Sequence, residues 1–151
     1  MDVRPLDERA MDEALRLAGA TGRMGNVPVG AVIVVDGEIV ASAANLRETL
    51  QDPTAHAELL ALREAAARTG AWRLEDATMI VTLEPCAMCA GAIAQARVGR
   101  LVYGADELKT GAVNRGPRLL DPHPVVVESG LKADESLTLL ERFFKKVRAR
   151  G

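Results

Sequence analysis

The chain is poor in the residues that most often staple or anchor a protein: two cysteines, two histidines, and no uninterrupted apolar run on the scale of a bilayer. Two cysteines cannot make a disulfide-rich framework, and a bridge between positions 86 and 89 would close too short a loop to constrain the chain. Nor can they complete a four-sulfur metal cage. A membrane span needs about 20 predominantly apolar residues, so no membrane association is expected. The opening Met1-Asp2-Val3-Arg4-Pro5 lacks the basic and then apolar stretches of an export signal, which predicts a cytoplasmic protein with reduced thiols. Internal repeats and low-complexity linkers are also missing, so 151 residues predict one domain spanning positions 1–151.

An excess of positive charge is missing too. The formal net charge is −2, which argues against a general nucleic-acid binder. The distribution is uneven, however: residues 1–94 carry 8 basic and 14 acidic side chains, whereas residues 95–151 carry 11 and 7. Arg142, Lys145, Lys146, Arg148 and Arg150 crowd the last stretch, where they could contact phosphates or simply favour the negative end of a helix.

What is present reads as alternating strands and helices. Met11, Leu15 and Ala18 repeat at helical spacing within a helix from Leu6 to about Ala20, with Asp7 as its candidate cap. The β-branched run Val27–Val35 ends at Asp36-Gly37, a hairpin dipeptide, before Ile39-Val40-Ala41. Asn45 to Gln51 reads as a loop. Asp52-Pro53 then predicts an N-cap and first helical residue, opening a helix that carries His56 and ends at Gly70. Thr78–Leu83 predicts a strand, Pro85 another helix start, Leu101–Gly104 a strand, 105–124 a surface loop, Val125–Val127 a short strand and 133–148 a final helix. An initial hairpin followed by strand–helix alternation predicts an α/β fold of three layers, α/β/α, with a central mixed sheet of about five strands.

Chemistry concentrates in His56-Ala57-Glu58 and Pro85-Cys86-Ala87-Met88-Cys89. Two thiols on one helical face and an imidazole near the start of another helix make a mixed nitrogen and sulfur donor set that favours Zn²⁺ over Mg²⁺ or Ca²⁺. Glu58 lies two residues from His56, close enough to move protons without coordinating. A closed structural site would need a fourth ligand, for which only His123, bracketed by Pro122 and Pro124, remains. Three ligands with a free acid fit hydrolytic displacement at an electrophilic carbon.

These motifs are those of the zinc nucleobase deaminases, His-x-Glu followed by Pro-Cys-x-x-Cys. Together with Val27-Pro28-Val29-Gly30-Ala31-Val32, Asn45, Asp52–Glu58, Thr82–Ala92, Lys109-Thr110-Gly111-Ala112 and Phe143-Phe144, the chain resembles the bacterial tRNA-specific adenosine deaminase family. The resemblance implies the cytidine deaminase-like fold, one Zn²⁺ per subunit held by His56, Cys86 and Cys89, and a proton shuttle at Glu58. It also implies a base pocket with Asn45 on the adenine edge, lined by Val27 and Pro28. The implied reaction is hydrolysis of adenosine to inosine at the wobble position of a tRNA anticodon, in an arginine tRNA, with zinc hydroxide attacking C6. The implied partners are the anticodon stem-loop and a second copy of the chain, and Lys109, Arg142, Lys145, Lys146 and Arg148 become candidates for RNA contact.

The chain departs from that family's usual pattern in three places: Glu107 stands where Asp is usual, the segment from Gly111 to Pro124 is short, and Pro122 precedes His123 where Asn is usual. These predict altered anticodon contacts. Two rival functions remain, a guanine or other free base or nucleoside deaminase using the same chemistry, and a non-enzymatic zinc-stabilised RNA-binding protein.

Overall fold

The computed structural model describes residues 4–150. Helix α1, Pro5–Arg23, starts on a proline whose fixed φ suits the first turn, and the Asp7 carboxylate reaches back to accept the Arg4 amide at 2.7 Å. Asp7 therefore serves the helix start from inside the first turn rather than from the cap position. Strands β1, Gly30–Val35, and β2, Glu38–Ala44, are joined by Asp36 and Gly37, both at positive φ (51° and 77°), as a tight hairpin turn requires. The predicted loop after Asn45 contains a four-residue helix, α2, at Arg47–Leu50.

Both prolines expected to open helices stand before them instead. Helix α3 is Ala57–Thr69 with His56 as its extended N-cap, and α4 is Ala87–Gln95 with Cys86 in the same position. Asp52 spends its carboxylate on a local turn, accepting the Thr54 amide at 2.8 Å and the Thr54 hydroxyl at 2.7 Å, so it caps no helix. Gly70, at φ 73°, ends α3 as expected. Strands β3, Ala77–Leu83, β4, Arg100–Ala105, and β5, Val126–Ser129, precede the final helix α5, Ala133–Arg150.

The sheet is mixed and five-stranded, in the order β2-β1-β3-β4-β5. β1 runs antiparallel to both β2 and β3, whereas β3, β4 and β5 are parallel. Alternation along each strand divides the interior into two clusters. Ala31, Ile33, Met79, Val81, Leu101 and Tyr103 face α3 and α4, while Val32, Ile80 and Val102 face α1. Each fully buried Ile or Val is worth about 1.5–3 kcal/mol relative to exposure, so a one-residue register slip would be severely penalised. Gly30 lets α1 lie directly on β1: a Cβ there would sit 2.0 Å from the Ala14 carbonyl oxygen. With these layers in place, the turns leaving the carboxyl ends of β3 and β4 open beside the N-terminus of α3, which is where open α/β sheets receive ligands. No described helix is long and apolar enough to cross a membrane.

Candidate active site and metal centre

The extended caps bring the starts of α3 and α4 to one point. His56 Nδ1 lies 3.7 Å from Cys86 Sγ and 3.5 Å from Cys89 Sγ, and the three donor atoms lie within 4.8 Å of one another. Tetrahedral Zn²⁺, with metal–sulfur bonds near 2.3 Å and metal–nitrogen bonds near 2.05 Å, places its sulfur and nitrogen ligands about 3.6 Å apart. The donor triangle has the size of a zinc site. Its electrostatics call for a cation: the Cys89 thiol hydrogen bond holds Cys86 down to about 4, while the proton it supplies and burial push Cys89 upward, because two adjacent thiolates cannot both ionise unaided. His56 is raised by its hydrogen bond to Cys86, and two helix N-termini add positive potential around the sulfurs.

Glu58 is in the first turn of α3, buried beside this cluster, and desolvation lifts its carboxyl to about 7. A carboxyl poised near neutrality can both take and give a proton. It lines a cavity of about 210 Å³, smaller than the roughly 300 Å³ at which drug-sized pockets begin and suited to one heterocycle. Val27, Val29, Asn45 and Leu83 form part of its wall, with Phe144 from α5 and Arg47 from α2 also facing it. Asn45 is held in orientation: its Nδ2 donates to the Val27 carbonyl at 3.1 Å and its Oδ1 accepts the Arg47 amide at 3.1 Å. One N–H and one lone pair remain for a ligand.

The wall is fixed from behind by a residue the sequence did not single out. Asn26 is fully buried, donates to the Thr21 hydroxyl at 3.0 Å and the Thr49 hydroxyl at 2.8 Å, and accepts the amides of Glu48 and Thr49 at 2.9 and 3.1 Å. One side chain thus ties the Val27 segment to α1 and α2.

Glu84 was missed as well. It leaves β3 into the pocket wall with its side chain wholly buried, accepting the Glu107 amide at 3.1 Å on one oxygen and the amides of Val113 and Asn114 at 3.2 and 2.9 Å on the other. Arg115 approaches the first oxygen at 3.6 Å. Gly111 is the only residue type that fits beside it, since a Cβ there would stand 2.6 Å from the carboxylate, and Gly111 also forms a β-bridge with Cys86. The signal was an acid directly after the strand-forming run Thr78–Leu83, where burial leaves no room to solvate a charge. Because of it, the predicted surface loop is only partly one: Gly111, Ala112 and Val113 are buried against the metal-bearing turn, and the Ala112 amide donates to the Pro85 carbonyl at 3.0 Å.

Comparison with known proteins accords with this geometry. The profile of the cytidine and deoxycytidylate deaminase zinc-binding region matches residues 4–105. The tRNA-specific adenosine deaminase of Bacillus subtilis (strain 168) is 46% identical over 146 residues, covering 94% of this chain and 91% of the relative, and that of Haemophilus influenzae is 45% identical over 147 residues, covering 94% and 85%. The chain belongs to this zinc-binding deaminase family, among the tRNA-specific adenosine deaminases. A solved structure from work on A-to-I editing by tRNA:A34 deaminases at the wobble position superposes with a TM-score of 0.85 at 45% identity, covering 87% of this chain and 99% of that one. A guanine deaminase from Nitrosomonas europaea superposes at 0.81 with 25% identity, covering 95% and 86%.

In this deaminase the sequence-derived candidates fall into distinct places. His56, Glu58, Cys86, Asn45, Val27 and Glu107 all face the cavity, and Cys89 completes the donor triangle behind it. Glu107 also folds its carboxylate onto the Lys109 amide at 2.9 Å, bracing its own turn. Pro28 does not line this cavity: it sits at the centre of a tight turn before β1, closed by the Val29 amide on the Val27 carbonyl at 2.9 Å, and lines the separate recess beside α5. Lys109 is exposed outside the cavity, Arg142 and Lys146 line the groove that Pro28 faces, and Lys145 and Arg148 are exposed on α5. His123 lines a separate cavity with Arg73 and Arg97, so among the described residues it supplies no fourth ligand to the cluster.

Proposed function

We propose that the protein hydrolyses adenosine to inosine at the wobble position of a tRNA anticodon, an arginine tRNA being the expected substrate. The observation that carries the chemistry is the buried Glu58 carboxyl beside the His56, Cys86 and Cys89 donors at the end of a base-sized cavity. The relatives named as tRNA-specific adenosine deaminases support the substrate.

His56, Cys86 and Cys89 would hold Zn²⁺, which supplies Lewis acidity and lowers the pKa of water. Glu58 takes a proton from the attacking water and delivers it to adenine N1 as the new bond forms at C6. It then carries the second proton to the exocyclic nitrogen, so that one water is consumed and one ammonia leaves. Asn45 would use its free N–H and lone pair on the adenine edge, the donor and acceptor pairing that an amide makes with adenine. Val27 closes the pocket against the base, and exposed Phe144 offers a stacking face at its rim. Glu107, which also lines the cavity, would meet the adjoining ribose or base. An anticodon loop nucleotide is already unpaired, so extruding it costs little. Cytoplasmic localisation and a homodimer belong to the same proposal.

The solved guanine deaminases of similar fold define the rival. Purified protein is mixed in parallel with an anticodon stem-loop carrying the wobble adenosine, the same stem-loop carrying guanosine, and free guanine. Inosine in the first alone supports the proposal; turnover of free guanine alone sinks it.

A further inference from the structure

Tyr103 is fully buried in β4, where its ring alone would serve the core, yet its hydroxyl is spent on the loop that follows the strand. It donates to Asp106 Oδ1 at 3.0 Å and accepts the Asn114 side-chain amide at 2.7 Å. The other Asp106 oxygen accepts Arg115 Nη2 at 2.8 Å. Both ends of the segment 106–115 are thereby fastened around one phenol. Burial and the Asp106 hydrogen bond push the Tyr103 hydroxyl up to about 12, and Arg115 holds the Asp106 carboxyl below its usual range, so at neutral pH the phenol donates and the carboxylate accepts.

This clasp differs from the Glu84 anchor, which accepts backbone amides, because it joins side chains. The two meet at Asn114, whose backbone amide Glu84 accepts, and at Arg115, whose Nε stands 3.6 Å from Glu84 Oε1. Asp106 and Arg115 are 45% and 42% exposed, an ion pair that solvent screens and that adds little stability. Its geometric effect is larger. The next residue is Glu107, which lines the base cavity and whose carboxylate accepts the Lys109 amide at 2.9 Å. Holding the Asp106 side chain at two points constrains the backbone from which Glu107 projects.

We infer that Tyr103 and Asp106 are positioning residues for substrate binding: their clasp sets the place of the Glu107 carboxylate at the cavity wall before a substrate arrives. The inference rests on the proposed contact of Glu107 with the substrate. A side chain ordered in advance loses less freedom on binding, so the clasp acts on affinity more than on the chemical step at Glu58. The adjacent acids divide the work, Asp106 braced by Tyr103 and Arg115 while Glu107 faces the cavity.

The test compares Tyr103→Phe and Asp106→Ala with the parent as full-length, zinc-loaded protein, on whichever of the anticodon stem-loop and free guanine the parent turns over. KM should rise about fivefold, the equivalent of one lost hydrogen bond, with kcat within about twofold and zinc content unchanged. Asp106 is exposed, so its truncation leaves the core intact even where the Tyr103 variant folds poorly. The same two changes are then made in Glu107→Ala, which has no carboxylate to place; there they should leave KM where Glu107→Ala alone puts it. Without substrate, hydrogen exchange at the Lys109 amide should quicken in both variants, while the Val113 amide, held by Glu84, stays protected. A fall in Tm with KM unchanged, an equal rise in KM with and without the Glu107 carboxylate, or unaltered exchange at Lys109 overturns the inference. A parent that turns over free guanine alone overturns the RNA reading, while KM for guanine still decides the clasp.

Discussion

Arg100 grips both carboxylate oxygens of Asp7, at 2.9 and 2.7 Å, across 93 positions of sequence, and binds Glu128 at 2.9 Å with the same guanidinium. The pair joins α1 to β4 with both side chains only 5% exposed. Burial alone would raise the Asp7 carboxyl, but the Arg100 hydrogen bonds, the Arg4 amide and the charges of both arginines outweigh it and hold the group below 3.8. A depressed carboxyl stabilises the fold above its unfolded value and loses that contribution as pH falls through the folded one. Stability should therefore drop below about pH 3.8. Asp7→Asn removes the bidentate carboxylate while Glu128 stays on the Arg100 guanidinium, so it should cost less than the roughly 3–5 kcal/mol of a fully broken buried pair, while flattening the acid limb of a pH-dependent urea titration. An unaltered acid limb in the variant would rule out this role.

Glu58→Gln keeps the shape of the side chain and removes its proton transfer. Turnover should fall by about 10²–10⁴-fold, with bound zinc and Tm close to those of the parent protein. Metal content by atomic absorption, measured beside ammonia release, separates this outcome from loss of the metal. Retained turnover would remove Glu58 from the proton path.

Chelation should abolish turnover and lower Tm, since a metal present at a thousandfold its Kd stabilises the native state by about 4 kcal/mol. Adding back Zn²⁺ should restore both properties. Mg²⁺ should restore neither, because two sulfurs and an imidazole are poor donors for a hard cation. Recovery with Mg²⁺ would exclude the His56, Cys86 and Cys89 set as the seat of the metal.

Glu84→Gln tests the anchoring of the loop. The amide must turn its NH₂ toward at least one of the amides that Glu84 now accepts, leaving a buried donor unsatisfied at about 1–3 kcal/mol. Hydrogen exchange at Glu107, Val113 and Asn114 should quicken, and KM for the stem-loop should rise more than kcat falls. Slow exchange at all three amides would show that the carboxylate does not hold the loop.

The local parts of this structure were legible because their causes are local. Ala31–Val35 alternates between the two core clusters, Asp36-Gly37 supplies two positive φ angles, and Gly70 stops α3, each within a few residues of its effect. The donor motif was readable for the same reason. Helix starts were placed too early because Pro53 and Pro85 carry the usual first-turn signal, yet His56 and Cys86 must remain extended to aim at a common point. Glu84, Asn26 and the Asp7–Arg100 pair stayed hidden because most of their partners lie 22 to 93 positions away. The four residues of α2 were invisible for a related reason: too short to persist alone, they take support from the Asn26 oxygen.

The reach of the Glu84 carboxylate also divides the loop beyond β4 into two regimes. Its last amide partner is Asn114, and the chain returns soon after, with the Leu119 amide donating to Ala112 at 2.8 Å. Between those closures, Gly116, Pro117 and Arg118 form an exposed tip that adds nothing to the base cavity. Length can change at that tip without disturbing the chemistry. An insertion or deletion there would leave the buried Gly111–Val113 segment, and the metal-bearing turn it packs against, in place.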